Sequence, residues 1–185
     1  MLLRIAQLGQ PVLREVAQEI PPDEIGTPAF QQLLADMRET LEAAGGVGLA
    51  GPQVFASRRV FLAKILPPPQ EGDQPGIEVF VNPRLSALTD QAESAWEGCL
   101  SFSELLVLVP RLRAMRVDYL DAAGHPKALA LEGFAARVVQ HEFDHIEGIL
   151  TIDRTESTLD IIKASEIDAV LGENGRAEQR ELPGV

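Results

Sequence analysis

Two histidines and a glutamate form the densest group of reactive side chains in this chain of 185 residues. His141 and His145 are four positions apart, so on a helix both imidazoles project from one face and can hold a single metal ion. Glu142 follows the first histidine, close enough to act on a water molecule at that metal. The chain has only three histidines, which makes chance a weak explanation for the spacing. The pattern predicts a hydrolytic metal site; the alternative interpretation is an ordinary polar helix face.

The third ligand of this metal is not fixed by the histidine spacing. One zinc-protease pattern needs a further histidine where this chain has Thr151, which excludes that subclass. Two candidates remain: Glu166, which would suit a zinc peptidase, and Cys99, the only thiol in the sequence. A lone cysteine is more often a small apolar core residue, so spacing alone does not choose between them.

The elements that position these residues can be predicted from turn signals and hydrophobic spacing. Three helices are expected: one from Pro28 to the Gly45-Gly46 pair, one from Phe134 to Ile146, and one from Thr158 to Leu171. Between the first two helices the spacing favours short strands, and Pro67 to Gly76 is predicted to be a loop. The predicted strands are Val60 to Leu66, Ile77 to Val81, Leu105 to Val109, the alternating Met115, Val117 and Tyr119, and Lys127 to Leu131.

The order of these elements predicts the fold class. Helices that flank a cluster of strands, without regular alternation of strand and helix, are typical of an α+β fold. The length fits one domain, which we expect to be catalytic and to cover residues 1–172, followed by a short polar tail at 173–185.

Composition excludes several classes of function. The chain has 16 basic and 28 acidic residues, and a net charge of −12 repels phosphate, so nucleic acid is not expected as the main ligand. A single cysteine cannot form an intramolecular disulfide, which indicates a reducing environment. The longest apolar run, Leu105 to Pro110, is far shorter than the ~20 residues of a membrane span. We expect a cytoplasmic protein that does not act at a membrane.

Three segments, in this order, resemble the three motifs of the peptide deformylases: Gly46 to Gln53, Glu97 to Ser101, and Gln140 to His145. The resemblance spans nearly the whole chain. It differs from the usual pattern at Gly51, where alanine is usual, at Ser103, where proline is common, and at Ile146, where leucine is usual. The first two differences suggest a looser backbone near the site. The resemblance implies a single domain in which a central helix with the two histidines is surrounded by antiparallel strands, with an N-terminal and a C-terminal helix.

The resemblance also implies a complete catalytic set. Glu142 would act as general base and then protonate the departing amine. The Gln53 side-chain amide and the Leu100 backbone N–H would stabilise the oxyanion. Formate and a free amino terminus would be released from N-formylated nascent peptides. The implied metal ligands are Cys99, His141 and His145.

Five residues are expected to contact the peptide. Val47, Gly48 and Gly98 would present their backbone to an extended chain. Phe134 and Val138 continue the helical stripe of the two histidines, so they would line the pocket for the methionine side chain, although each taken alone is as readily a core residue.

The remaining expectations concern the metal and the protein's partners. Ligand chemistry alone favours zinc, whereas the resemblance implies Fe²⁺ in the cell, with Zn²⁺, Ni²⁺ or Co²⁺ in a purified sample. Arg111 is expected to pair with Glu97, and transient association with the ribosome would accompany a nascent-chain substrate. A catalytically silent, peptide-binding relative is the alternative outside enzymes; it is suggested only by Gly51 and Ser103.

Overall fold

The computed structural model describes residues 1–67 and 75–172. Most of the loop predicted at Pro67 to Gly76, and the polar tail predicted at 173–185, lie outside these residues. The described helices are α1 (Pro22–Ile25), α2 (Pro28–Ala44) and α3 (Gly133–Ile146), with a further helical stretch at 167–172.

Helix α2 begins and ends at the residues that the sequence indicates. The Thr27 hydroxyl accepts a hydrogen bond from the Phe30 N–H, Pro28 occupies the first turn, and Gly45 ends the helix with φ of 68°. Its apolar face packs against a five-stranded β-sheet through four buried side chains, which are Phe30, Leu34, Met37 and Leu41.

Two antiparallel sheets flank the third helix. The larger has the order β1-β2-β3-β6-β7 and the smaller the order β4-β5-β8. Each predicted strand is present, and β1, β4 and β8 are additional. The bounds are β1 Gly48–Ala50, β2 Val60–Leu66, β3 Gly76–Ala87, β4 Ala92–Glu97, β5 Leu105–Leu112, β6 Ala114–Leu120, β7 Pro126–Glu132 and β8 Ile161–Lys163.

Helix α3 is the central element of the fold. Ala136, Val139 and Ile146 are fully buried, and the helix contacts strands of both sheets. It ends at a turn where Gly148 has φ of 72°, and a Cβ there would lie 2.8 Å from the Arg14 carbonyl oxygen. The predicted α+β fold with a central histidine-bearing helix among antiparallel strands is therefore confirmed.

The helix predicted from Thr158 to Leu171 is wrong over its first nine residues. A 3-10 turn at Thr158–Asp160 leads into β8, which pairs with Leu105 to Val107 of β5. A second 3-10 turn follows at Ala164–Glu166, and α-helical backbone begins only at 167. The β-branched Ile161 and Ile162 favour a strand, and the edge of β5 offers hydrogen bonds that a helix would leave unmade.

Across the described residues, we find no helix with the length and apolar character that crossing a membrane requires.

Candidate metal centre

The three predicted ligands meet at one point between α3 and the end of β4. Cys99 Sγ lies 3.3 Å from His145 Nε2, and the possible ligand atoms of Cys99, His141 and His145 all lie within 4.8 Å of one another. A tetrahedral ion with bonds of about 2.0–2.3 Å places its ligand atoms about 3.3–3.8 Å apart, which the separation of Cys99 Sγ and His145 Nε2 matches, and the 4.8 Å limit leaves His141 near enough to join them. Glu166 is exposed and outside this group, which overturns the zinc-peptidase ligand set.

The Nδ1 nitrogen of His141 is hydrogen-bonded to a buried carboxylate. His141 Nδ1–H donates to Glu97 Oε2 at 3.0 Å. A carboxylate behind a metal-binding histidine fixes the orientation of the ring and makes it a stronger ligand. Burial alone would raise the pKa of Glu97, but hydrogen bonds from His141 and Arg111 outweigh it and hold this pKa far below its usual range. Glu97 is therefore an anion.

Glu97 belongs to a buried network of ion pairs. Arg111 donates two hydrogen bonds to Glu97, at 3.0 and 2.9 Å, and also pairs with Asp144. Asp144 receives a second cation, Arg154, at 2.6 Å, and Arg137 pairs with Glu97 at 2.8 Å. The predicted Arg111 to Glu97 pair is confirmed. The roles of Arg137, Asp144 and Arg154 were not predicted, although Asp144 lies within the histidine motif.

Burial disfavours charge on both imidazoles, but their partners shift the two pKa values in opposite directions. Burial and the nearby His141 lower the pKa of His145, which keeps its ring neutral and able to bind a metal. Burial also disfavours charge on His141, but hydrogen bonds to Cys99 and Glu97 raise its pKa well above the usual value. The space between these side chains therefore favours positive charge, which is what a metal cation requires.

Glu142 is buried beside this centre and is 3% exposed. Burial is the main cause that raises its pKa to about 7, and its Oε2 has no hydrogen-bond partner among the described residues. A Cβ at Gly48 would overlap the Glu142 carboxyl group, so only glycine leaves room for it. This arrangement suits a carboxylate that exchanges protons near neutral pH.

The Gln53 side chain is held with its amide N–H groups toward the ligands. Its Oε1 accepts from the Ala50 N–H at 2.9 Å, which fixes the direction of the amide. Its Nε2 donates to Ser101 Oγ at 3.2 Å and lies 3.7 Å from Cys99 Sγ. Ser101 is fully buried, and its contact with Gln53 was not predicted from the sequence.

One cavity of about 410 Å³ opens onto this centre. Among the site residues predicted from the sequence, His145 is buried and does not line the cavity, and the others line it: Val47, Gly48, Gln53, Gly98, Cys99, Leu100, Phe134, Val138, His141 and Glu142. Lining residues that were not predicted are Ala44, Gly45, Gly46, Trp96, Glu97, Ser103, Leu106, Arg137 and Ala164.

Gly51 is a position of close backbone approach. A Cβ at Gly51 would lie 2.6 Å from the Arg58 carbonyl oxygen and 2.8 Å from that of Ala56. Gly51→Ala is therefore expected to lower the free energy of unfolding by about 1–3 kcal/mol, as overpacking does. It should also lower kcat, because Gly51 begins the 3-10 turn that contains Gln53.

Gly26→Ala is the control for this prediction, because nothing lies within 4 Å of a Cβ at Gly26. Urea unfolding should show a change of no more than about 0.5 kcal/mol for it. Equal stability of the two variants would contradict the close approach at Gly51.

The comparisons with known proteins agree on one family. The polypeptide deformylase family model matches residues 2–160. Peptide deformylase 2 of a Nostoc species is 39% identical over 175 residues, which cover 94% of this chain and 97% of that protein. Peptide deformylase 1 of Nitrosomonas europaea is 41% identical over 152 residues, which cover 81% and 85%.

Solved structures give the same result. The peptide deformylase of Thermotoga maritima has a TM-score of 0.76 and 37% identity, with 85% of this chain and 99% of that chain covered. The Synechococcus elongatus enzyme in complex with actinonin has a TM-score of 0.76 and 32% identity, with 85% and 81% covered. With its metal-ligand geometry and a family match over most of its length, the chain belongs to the polypeptide deformylase family.

Proposed function

We propose that this chain removes the formyl group from formyl-methionyl nascent peptides and releases formate and a free amino terminus. The observation that supports this most directly is the convergence of Cys99, His141 and His145 with Glu142 and Gln53 on one cavity. A soft thiolate with two imidazoles is a donor set for a divalent transition metal, and the buried carboxylate supplies the proton transfer that hydrolysis needs.

Each residue of the site has a separate role in the proposed reaction. When bound by Cys99, His141 and His145, a divalent metal supplies Lewis acidity toward the formyl oxygen and toward water. Glu142 Oε2 takes the proton from the attacking water and then gives it to the amine as the carbon–nitrogen bond breaks. Gln53 Nε2 and the Leu100 N–H donate to the oxygen on which negative charge develops. Val47, Gly48 and Gly98 present their backbone to the extended peptide.

The methionine side chain is expected against the apolar face of α3. Val138 and Phe134 both line the cavity, one and two turns before His141. Val138→Asp places a carboxylate there, and we expect kcat/KM for formyl-methionyl peptides to fall by an amount worth roughly 2 kcal/mol or more, with metal content unchanged. If a folded, metal-loaded variant acts like the parent, the methionine pocket lies elsewhere.

Fe²⁺ is the proposed metal in the cell, and Zn²⁺, Ni²⁺ or Co²⁺ can occupy the same ligands in a purified sample. A thiolate bound to a redox-active ion is vulnerable to oxygen and peroxide, so iron-loaded protein should lose activity in air faster than nickel-loaded protein. Activity measured against time in air tests this. If iron-loaded and nickel-loaded protein lose activity at the same rate in air, oxidation at the iron is not the cause of the loss.

Formylated nascent peptides are the proposed partners, and the proposed location is the cytoplasm. Contact with the ribosome would be transient, because the net charge of −12 opposes strong binding to RNA.

Anaerobic measurement of formate release from a formyl-methionyl peptide, with metal analysis of the same sample, tests the proposed function. We expect formate in an amount equal to the new amino termini. Binding of the peptide without formate release, in a sample with one metal ion per chain, would instead support the catalytically silent relative. Internal cleavage of the peptide would indicate a peptidase.

A further inference from the structure

Residues 5–8 connect the two loops that carry the proposed oxyanion donors, and we call this segment the strap. The Ala6 N–H donates to the Gln53 carbonyl oxygen at 2.7 Å. The Leu8 N–H donates to the Ser101 carbonyl oxygen, next to the second proposed donor, at 2.8 Å. The strap therefore joins both loops through backbone hydrogen bonds.

The Gln7 side chain adds a third link between the strap and the second loop. Its Nε2 donates to the Leu100 carbonyl oxygen at 3.1 Å and to the Ile5 carbonyl oxygen at 3.4 Å. Both partners can only accept hydrogen bonds, and Nε2 carries two N–H donors, one for each. The contact therefore needs a side chain that donates at this position.

Three consecutive carbonyl groups of the second loop accept hydrogen bonds. The Cys99 oxygen accepts from the Phe102 N–H at 3.0 Å, and the strap binds the oxygens of Leu100 and Ser101. The C=O and N–H of a trans peptide point in opposite directions, so the first bond turns the Leu100 N–H away from the Phe102 side of the loop. Among the described residues, that N–H has no hydrogen-bond partner, which leaves it available to the substrate.

The strap is anchored within the fold on both sides. Before it, the Leu3 N–H donates to Thr40 Oγ1 of α2 at 2.9 Å. Within it, Ala6 is fully buried, and after it Leu13 is fully buried in the same apolar cluster as Ala6 and Cys99. A segment held in this way can keep two loops in a fixed relation, because its displacement would disturb the core.

We propose that Gln7 is a positioning residue, which through the Leu100 carbonyl group keeps the Leu100 N–H directed to the developing oxyanion. The inference rests on the proposed function and deepens it. Negative charge develops on the formyl oxygen only as the reaction proceeds, so a displaced donor should lower kcat and leave KM unchanged. For the loss of one exposed hydrogen bond, we expect kcat to fall about three- to tenfold.

Gln7→Met tests this role, and Gln10→Met is its matched control. Methionine is uncharged and similar in length to glutamine, but it cannot donate a hydrogen bond. Gln10 lies three residues further along, and its side chain forms no hydrogen bond with the described residues. We expect Gln7→Met alone to lower kcat at constant KM. Gln7→Lys keeps a donor at this position and should restore most of the loss.

Two kinetic results would overturn the proposal. One is a kcat of Gln7→Met equal to that of the parent. The other is an equal loss of kcat in Gln7→Lys and Gln7→Met, since the donor would then not be what matters. Urea unfolding of the same variants separates a fall in kcat from a fall in stability, because folded protein with a displaced donor remains slow.

Amide NMR of zinc-loaded protein provides a measurement that does not depend on turnover. The Leu100 amide resonance should shift in Gln7→Met and stay in place in Gln10→Met. If the parent releases no formate but this difference between the variants is present, the proposed function is wrong and the positioning of Leu100 by Gln7 stands. Formate release with the same Leu100 resonance in the parent and in Gln7→Met would have the opposite meaning.

Discussion

Glu142→Gln is expected to lower kcat by about 10²–10⁴-fold, the usual contribution of general acid–base catalysis, while the metal stays bound. Glutamine keeps the shape of the side chain but cannot accept the proton from water. The metal should remain because its proposed ligands are Cys99, His141 and His145, and the Glu142 carboxyl group lies against Gly48. Single-turnover rates and metal analysis of the same preparation measure both effects.

Glu132→Gln is the matched control for this variant. Glu132 precedes the first residue of α3, is exposed and forms no capping hydrogen bond with its side chain. The same chemical change there should leave kcat unaltered. Loss of the metal from Glu142→Gln together with activity would indicate that Glu142 holds the metal, and an unaltered kcat would exclude it as the proton carrier.

Local spacing was sufficient to predict the histidine pair, because both residues lie on one helix and their separation sets their geometry. The third ligand was not predictable in that way. Cys99 is close to His145 only because β4 pairs with β5 and places the following loop against α3. In the sequence, Cys99 was identified as a ligand by the resemblance to the family. The structure then favoured Cys99 over Glu166, because only Cys99 lies beside the two histidines.

Two of the three missed strands, β4 and β8, lack a distinctive pattern of their own. β4 has the sequence of a half-exposed, polar segment and is ordered by its partner β5. β8 has three residues, and its two isoleucines favour a strand but do not indicate which edge it joins. Pairing with a distant strand therefore decides where both elements form.

Buried charge was the other feature that the sequence did not indicate. Arg137 and Asp144 would be assigned to the surface by composition alone, because ionised side chains are seldom buried. In the fold Arg137 pairs with Glu97 and Asp144 pairs with Arg111, and Glu97 and Arg111 are 6% and 5% exposed. Arg154 is exposed and reaches Asp144 from the surface. Each carboxylate contacts two cations or more, so burial leaves no charge without a partner.

Arg111→Met is expected to lower the free energy of unfolding by about 3–5 kcal/mol, which is the usual cost of removing one partner of a buried ion pair. The change leaves Glu97 with Arg137 and His141 alone and removes one of the two cations from Asp144. Arg116→Met is the control, because Arg116 and Asp118 form an exposed ion pair on β6, whose loss should change the free energy of unfolding far less than the loss of Arg111 does. Urea unfolding of metal-free protein measures both changes.

Arg111→Lys distinguishes the loss of charge from the loss of geometry. Lysine retains the positive charge, but its single ammonium cannot donate two parallel hydrogen bonds to Glu97 while it also reaches Asp144. We therefore expect its stability to lie between those of the parent and Arg111→Met. If Arg111→Met and Arg116→Met destabilise the protein equally, the network contributes no more than surface pairs do. Glu97 would then hold His141 without support from Arg111.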